Sequence, residues 1–151
     1  MPDNQAVACF FDTNIWLYAF IEAGDGTDET TKSAIARTLI QNSEPVISTQ
    51  IINEVCVNLL RRANFTEEQI SRLIESFYEK YQVIEQTKPV LLLASQLRQR
   101  YSLSFWDSTV VAAALSAGGS VLYSEDMQHG LAIEQQLQIR NPFVQRSGES
   151  L

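Results

Sequence analysis

The stretch FFDTNIWLYAF, from Phe10 through Asp12 to Phe20, decides how the rest of the chain is read. Val7, Ala8, Cys9, Phe10 and Phe11 are apolar without alternation, the pattern of a strand buried on both faces. Asp12 ends that run. Ile15, Leu17, Tyr18 and Ile21 then follow a helical pattern from about residue 14 to 22. A carboxylate at the mouth of a buried strand is costly to desolvate unless something pairs with it. Asp12 therefore either caps the helix that follows or belongs to a site.

Working outward from this strand of roughly 6–11, strands and helices alternate. GDGTDETT, 24–31, is a polar loop whose acids lack the spacing of an EF-hand. A helix spans about 31–42, and Pro45-Val46-Ile47-Ser48 is a short strand. Ser48 or Thr49 can cap the next helix, which reaches about Ala63. Thr66-Glu67-Glu68-Gln69 is a capping box opening a helix over 67–80. Val83-Ile84 is a short strand, and Pro89 lies in the first turn of a helix reaching Tyr101. A further helix starts near Trp106 and stops at Gly118-Gly119. Ser120 to Tyr123 form a strand, and Ile139 lies in a last short one before Asn141-Pro142. This order predicts an α/β fold, a three-layer α/β/α sandwich around a mostly parallel sheet. Residues 1–144 read as one domain, and the polar tail 145–151 is expected to fray.

The 151 residues are 45% hydrophobic and 19% charged, an ordinary globular composition with room for one core. No apolar run reaches the length of a membrane span, and MPDNQAVACFF has no basic leader, so no signal peptide is expected. Cys9 and Cys56 both sit in apolar segments and read as small core residues of a reducing, cytoplasmic setting. The formal net charge of −7 opposes a nucleic-acid partner at first sight. Its distribution is uneven. Residues 1–31 hold six acids and no Lys or Arg, whereas 61–100 hold seven Lys or Arg against five acids.

In a parallel α/β sheet, ligands bind beyond the carboxyl ends of the strands. Asp12 ends the first strand, Glu54 lies early in the helix leaving PVIS, and Asp126 follows the strand SVLYS. Asp107 opens the helix leading into that last strand. Each has an ordinary explanation: Asp12 as a cap, Glu54 as a rim residue, Asp107 as the fourth place of a capping box begun by Ser104, Asp126 or Glu125 as a turn residue. Together they are harder to explain, because carboxylates gathered at one edge repel and raise one another's pKa. A hard divalent cation, Mg²⁺ or Mn²⁺, removes that penalty with oxygen ligands alone. It can also make hydroxide from water and stabilise a phosphoryl transition state. His129 is the only histidine, so no Ser-His-Asp set competes, and the chain has no GxxxxGK[ST] phosphate loop.

FFDTNIWLYAF, ISTQIINEV, SFWDSTVVAAAL and LYSEDMQHG, with RNPF near the end, resemble a PIN-domain protein, the fold of VapC-type toxins and other metal-dependent ribonucleases. These stretches run from residue 10 to 143. The resemblance implies an acidic pocket holding Mg²⁺ or Mn²⁺ and endonucleolytic cleavage of RNA. It assigns the catalytic and metal-binding acids to Asp12, Glu54, Asp107 and Asp126. Asp12 and Asp107 would be the strongest ligands, Glu54 would bind metal or orient water, and Asp126 would complete the pocket. Asn14 and Ser124 match supporting positions. Glu125 stands beside Asp126, and strand alternation leaves open which of the two faces inward.

Arg61, Arg62, Arg98 and Arg100 are candidates for substrate phosphate contacts, against an ordinary role as solvated helix faces. Trp16, Tyr18 and Phe20 read as core or as a subunit contact, and His129 as a loop residue. The leading expectation is the toxin of a toxin–antitoxin pair, blocked by a cognate antitoxin that puts a basic side chain into the pocket. Homodimers are common among VapC-type proteins. Two alternatives stand beside it. A haloacid-dehalogenase-type phosphatase also has a strand ending in Asp, but needs a second Asp where this chain has Asn14. A PIN-like module that binds RNA or protein without cutting would not need all four acids.

Overall fold

The computed structural model describes residues 8–21 and 28–144. The elements in order are β1 (Ala8–Phe11), α1 (Thr13–Phe20), α2 (Asp28–Gln41), β2 (Glu44–Ser48), α3 (Thr49–Arg62), α4 (Glu67–Lys80), β3 (Gln82–Ile84), α5 (Lys88–Arg100), α6 (Phe105–Ser116), β4 (Val121–Tyr123), β5 (Ala132–Ile133) and β6 (Leu137–Arg140). The strands form one six-stranded sheet in the order β3-β2-β1-β4-β6-β5. All neighbouring pairs are parallel except β5 with β6.

β1 lies inside the sheet, and Cys9, Phe10 and Phe11 are buried, as an apolar run without alternation requires. Its register places Phe10 opposite Val46 of β2 and Leu122 of β4. On one side α1 packs on α2 and α3, and α3 packs on α4; α5 and α6 pair with each other. The sheet lies between these layers as an α/β/α sandwich. Beyond its first turns α6 is apolar all round, with Val110 to Ala114 at most 3% exposed. No helix among the described residues is long and apolar enough to cross a membrane.

Side chains end most helices where the sequence indicates. Ser48 rather than Thr49 caps α3, accepting the Ile51 N–H at 3.2 Å. The Thr66–Gln69 capping box forms in both directions. α6 ends with Gly118 at a φ of +74° and the Gly119 N–H bonded to the Ala114 carbonyl at 2.9 Å. A Cβ on Gly119 would come within 3.0 Å of that carbonyl and 3.1 Å of the Phe10 ring, so β4 can follow α6 this closely only with glycine there.

Two expectations need correction. α2 begins at Asp28, not near residue 31, because Asp28 and Glu29 suit the positive N-terminal end of a helix. The short strand β5 was not expected. It folds back on β6 through Glu134 and Gln135, which both take left-handed φ values of 54° and 57°. The rest of the expected polar loop, the start of the first strand and the tail from Gln145 lie outside the described residues.

Cys9 and Cys56 are buried and form no disulfide. Trp16 is 1% exposed, meets the Phe11 and Phe77 rings edge to face and the Tyr81 ring at a tilt, all at 5.6 Å or less, and donates its indole N–H to the Phe11 carbonyl. It is a core residue, and Phe20 packs beside it.

Candidate active site

The carboxyl ends of β1 and β4 are locked side by side, with the Asp12 N–H donating to the Tyr123 carbonyl at 2.9 Å. This puts Asp12 beside the turn that follows β4. Asp12 caps α1 and is bonded to the turn after β4 as well. Oδ1 accepts the Thr13 N–H at 2.9 Å at the start of α1, and Oδ2 accepts the Ser124 hydroxyl at 2.9 Å. Ser124 is fully buried, so this bond is shielded from water.

α3 leaves the carboxyl end of β2 and presents Glu54 about one turn in. Glu54 Oε1 accepts the Thr13 hydroxyl at 2.6 Å, and Oε2 accepts the Gln50 amide at 3.1 Å. Asp107 lies in the first turn of α6, where its N–H is capped by Ser104 at 3.1 Å. Asp126 lies in the turn after β4 and accepts the Asn14 amide at 3.0 Å. Asp12, Thr13, Asn14, Glu54, Asn58, Asp107 and Asp126 line one cleft of about 270 Å³. All four expected acids thus meet in one place, from four different parts of the chain.

Glu125 faces the other way. It accepts the Tyr18 hydroxyl at 2.8 Å and the Lys32 ammonium. The question left open by strand alternation is answered by this turn: Asp126 faces the cleft. Asn14, where the phosphatase reading needs an acid, is an amide donating to Asp126.

The electrostatics match the geometry. Burial pushes the Asp12 carboxyl from 3.8 up to about 6, against the lowering effect of its bonds to Thr13 and Ser124. The charges of Asp107 and Glu54 raise it further. Burial also raises Asp107; its bond to Ser104 opposes this, and Asp126 and Glu54 add to it. The cleft is therefore a cluster of mutually repelling carboxylates, two of them held away from water. Among the described residues no three His, Cys, Asp or Glu side chains close into a ready-made ligand cage. The donor chemistry still fits a hard cation: the cleft is lined by carboxylate, hydroxyl and amide groups, and Mg²⁺ keeps several of its waters when bound.

Thr13, Gln50 and Asn58 were not anticipated. Gln50 and Asn58 stand four residues before and after Glu54 on α3, so helical spacing alone puts them on its face. Gln50 Oε1 also accepts the Thr109 hydroxyl at 2.5 Å, tying α3 to α6. Thr13 has no comparable signal.

The basic candidates separate. Arg61 and Arg62 are exposed at the end of α3, and Arg62 lines a depression of about 230 Å³ that shares Asn14 with the acidic cleft. Arg98 instead lies 4.3 Å from the Phe105 ring and donates to Ser108 at 2.7 Å. Arg100 pairs with Glu134 at 2.8 Å. His129 accepts the Asn141 N–H at 2.9 Å in the segment after β4 and is not among the residues lining the cleft.

A family model described as PIN domain matches residues 9–131. This chain belongs to the PIN-domain family. Comparison with curated proteins finds no match. Among solved structures, a toxin–antitoxin complex from Klebsiella pneumoniae is similar at 20% identity and a TM-score of 0.64, over 89% of this chain and 97% of that one. VapC20 of Mycobacterium tuberculosis, a sarcin–ricin-loop-cleaving toxin, is similar at 20% identity and a TM-score of 0.59, over 76% and 86%. The DNA-bound VapBC of Salmonella typhimurium is similar at 15% identity and a TM-score of 0.59, over 90% and 98%. At these identities the likeness is one of fold. The acids of this PIN domain lie inside the matched segment.

Proposed function

We propose that this PIN-domain protein is a divalent-metal-dependent endoribonuclease, the toxin of a toxin–antitoxin pair acting in the cytoplasm. The observation that carries the reading is the cleft itself: Asp12, Glu54, Asp107 and Asp126 converge there, and burial, with a smaller push from the neighbouring carboxylates, holds Asp12 at about 6. Such a cluster is costly without a cation and favourable with one. The solved neighbours support it, since they include toxin–antitoxin complexes and a toxin that cleaves the sarcin–ricin loop.

A bound Mg²⁺ or Mn²⁺ would supply a metal-activated water and charge neutralisation for phosphodiester hydrolysis. Asp12 and Asp107 would be its principal ligands. Glu54, fixed by Thr13 and Gln50, would bind metal or orient the attacking water. Asp126, steadied by Asn14, would complete the set. Arg61 and Arg62 are the candidates for holding the RNA backbone at the side of the cleft. Arg98 and Arg100 are engaged by Ser108, Phe105 and Glu134 and are weaker candidates. A cognate antitoxin would silence the site by placing a basic side chain among the acids.

The test is cleavage of a labelled mixed RNA pool by purified protein with Mg²⁺ or Mn²⁺, with EDTA, and with Asp12→Asn in parallel. Metal-dependent cleavage that falls at least about a hundredfold in the variant is expected. A folded, inhibitor-free protein that cuts under neither metal would instead be a binding module.

A further inference from the structure

The turn that presents Asp126 is gripped from behind. Ser124 Oγ accepts the N–H groups of Asp126 at 3.3 Å and Met127 at 3.2 Å while donating to Asp12. Between Ser124 and Asp126 stands Glu125, whose carboxylate is turned away from the cleft onto α1 and α2. It takes the hydroxyl of Tyr18 on one oxygen and the ammonium of Lys32 on the other. The Asn141 amide donates to the Glu125 carbonyl at 3.4 Å. Lys32 is enclosed by the rings of Tyr18 and Phe143, 5.5 and 5.4 Å from its ammonium, and those two rings meet edge to face. Asp28, one turn earlier on α2, stands 3.8 Å from it but is 85% exposed.

An exposed ion pair contributes little. This one differs in setting, because the Lys32 and Glu125 side chains are only 22% and 21% exposed. A charge held among aromatic faces has few alternative positions, so it fixes direction as well as adding energy. The hydrogen bond to Glu125 pushes Lys32 up to about 12, so the cation persists across the working range.

We propose that Lys32 is a positioning residue for the acidic cleft: by anchoring Glu125 with Tyr18, it sets the Ser124–Asp126 turn so that Ser124 meets Asp12 and Asp126 faces the metal position. The inference rests on the metal-nuclease reading, and on three segments closing over one residue: α1, α2 and Asn141–Phe143.

The test compares wild type, Lys32→Met, Lys32→Arg, Glu125→Gln, the Lys32→Met/Glu125→Gln double variant and Asp126→Asn. Amide hydrogen exchange of the metal-free proteins is read at Asp126 and Met127, and Mn²⁺ affinity is read by calorimetry. Lys32→Met is expected to speed exchange at those two amides by at least about tenfold while the α6 and β1 amides keep their protection. It should weaken Mn²⁺ binding by about tenfold, the effect of losing a partner that orients a ligand. Lys32→Arg should restore part of both, and Glu125→Gln should reproduce the loss without adding to it in the double variant. Unchanged exchange at the turn would overturn the proposal. So would faster exchange spread evenly through the core, which marks a merely stabilising pair. If wild type binds Mn²⁺ and Asp126→Asn loses it while Lys32→Met does not, the positioning role fails alone. If wild type binds no Mn²⁺, the metal reading fails, and exchange at the turn still decides whether Lys32 holds it.

Discussion

Asp12 performs two jobs that pull its ionisation in opposite directions. Its bonds to Thr13 and Ser124 favour the carboxylate, while burial and the charges of Asp107 and Glu54 oppose it, and burial dominates. The native carboxyl at about 6 lies above the ordinary 3.8, so between those values the folded protein holds a proton that the unfolded chain has released. The metal-free protein should therefore lose stability as pH rises through that window, by on the order of 3 kcal/mol from Asp12, with Asp107 acting in the same sense. Asp12→Asn should remove most of this slope and raise the metal-free melting temperature at neutral pH. Thermal unfolding of both proteins from pH 4 to 8 checks it. The acids were readable in the sequence because each stands at a strand end or in the early turns of a helix. The orientation of Glu125 was not, because its partner Lys32 is 93 positions away and nothing local names it.

Elements were readable where side chains punctuate them. Ser48, Thr66 and Ser104 are caps in sequence and in structure. The Gly118-Gly119 stop has a packing reason as well, in the contact of Gly119 with Ala114 and Phe10. Gly119→Ala should destabilise by about 1–3 kcal/mol, read by denaturant unfolding, because a backbone carbonyl on one side cannot yield. β5 was not readable, since its turn carries Glu134-Gln135 where Asn-Gly or Gly-Gly would announce a hairpin. Glu134 is held there by Arg100 and by the Tyr101 hydroxyl, which also accepts its N–H, so tertiary bonds stand in for turn propensity. Gln135→Gly should relieve the left-handed strain and raise stability by about 0.5–1 kcal/mol, visible as a higher melting temperature. An unchanged melting temperature would mean that the turn carries no such strain.

At the scale of the whole molecule, the parallel sheet collects Asp12, Glu54, Asp107 and Asp126 at one edge although 114 positions separate the first from the last. That edge was legible, because consecutive strands alternate with helices and each acid follows from where its element begins or ends. Strand order was less so: β6 pairs with β4 and leaves β5 outermost, an arrangement that short strands of two to four residues do not announce. The net charge of −7 also takes on a different meaning once part of it is acid gathered in one cleft. The central claim is that these four carboxylates bind a divalent metal. It is tested most directly by anomalous scattering from a crystal of the protein soaked in Mn²⁺. A peak within reach of Asp12, Asp107 and Asp126, absent from Asp12→Asn crystals, is the predicted result. Saturating Mn²⁺ that leaves the cleft without a peak, while the cleft stays clear of lattice neighbours, would contradict the account.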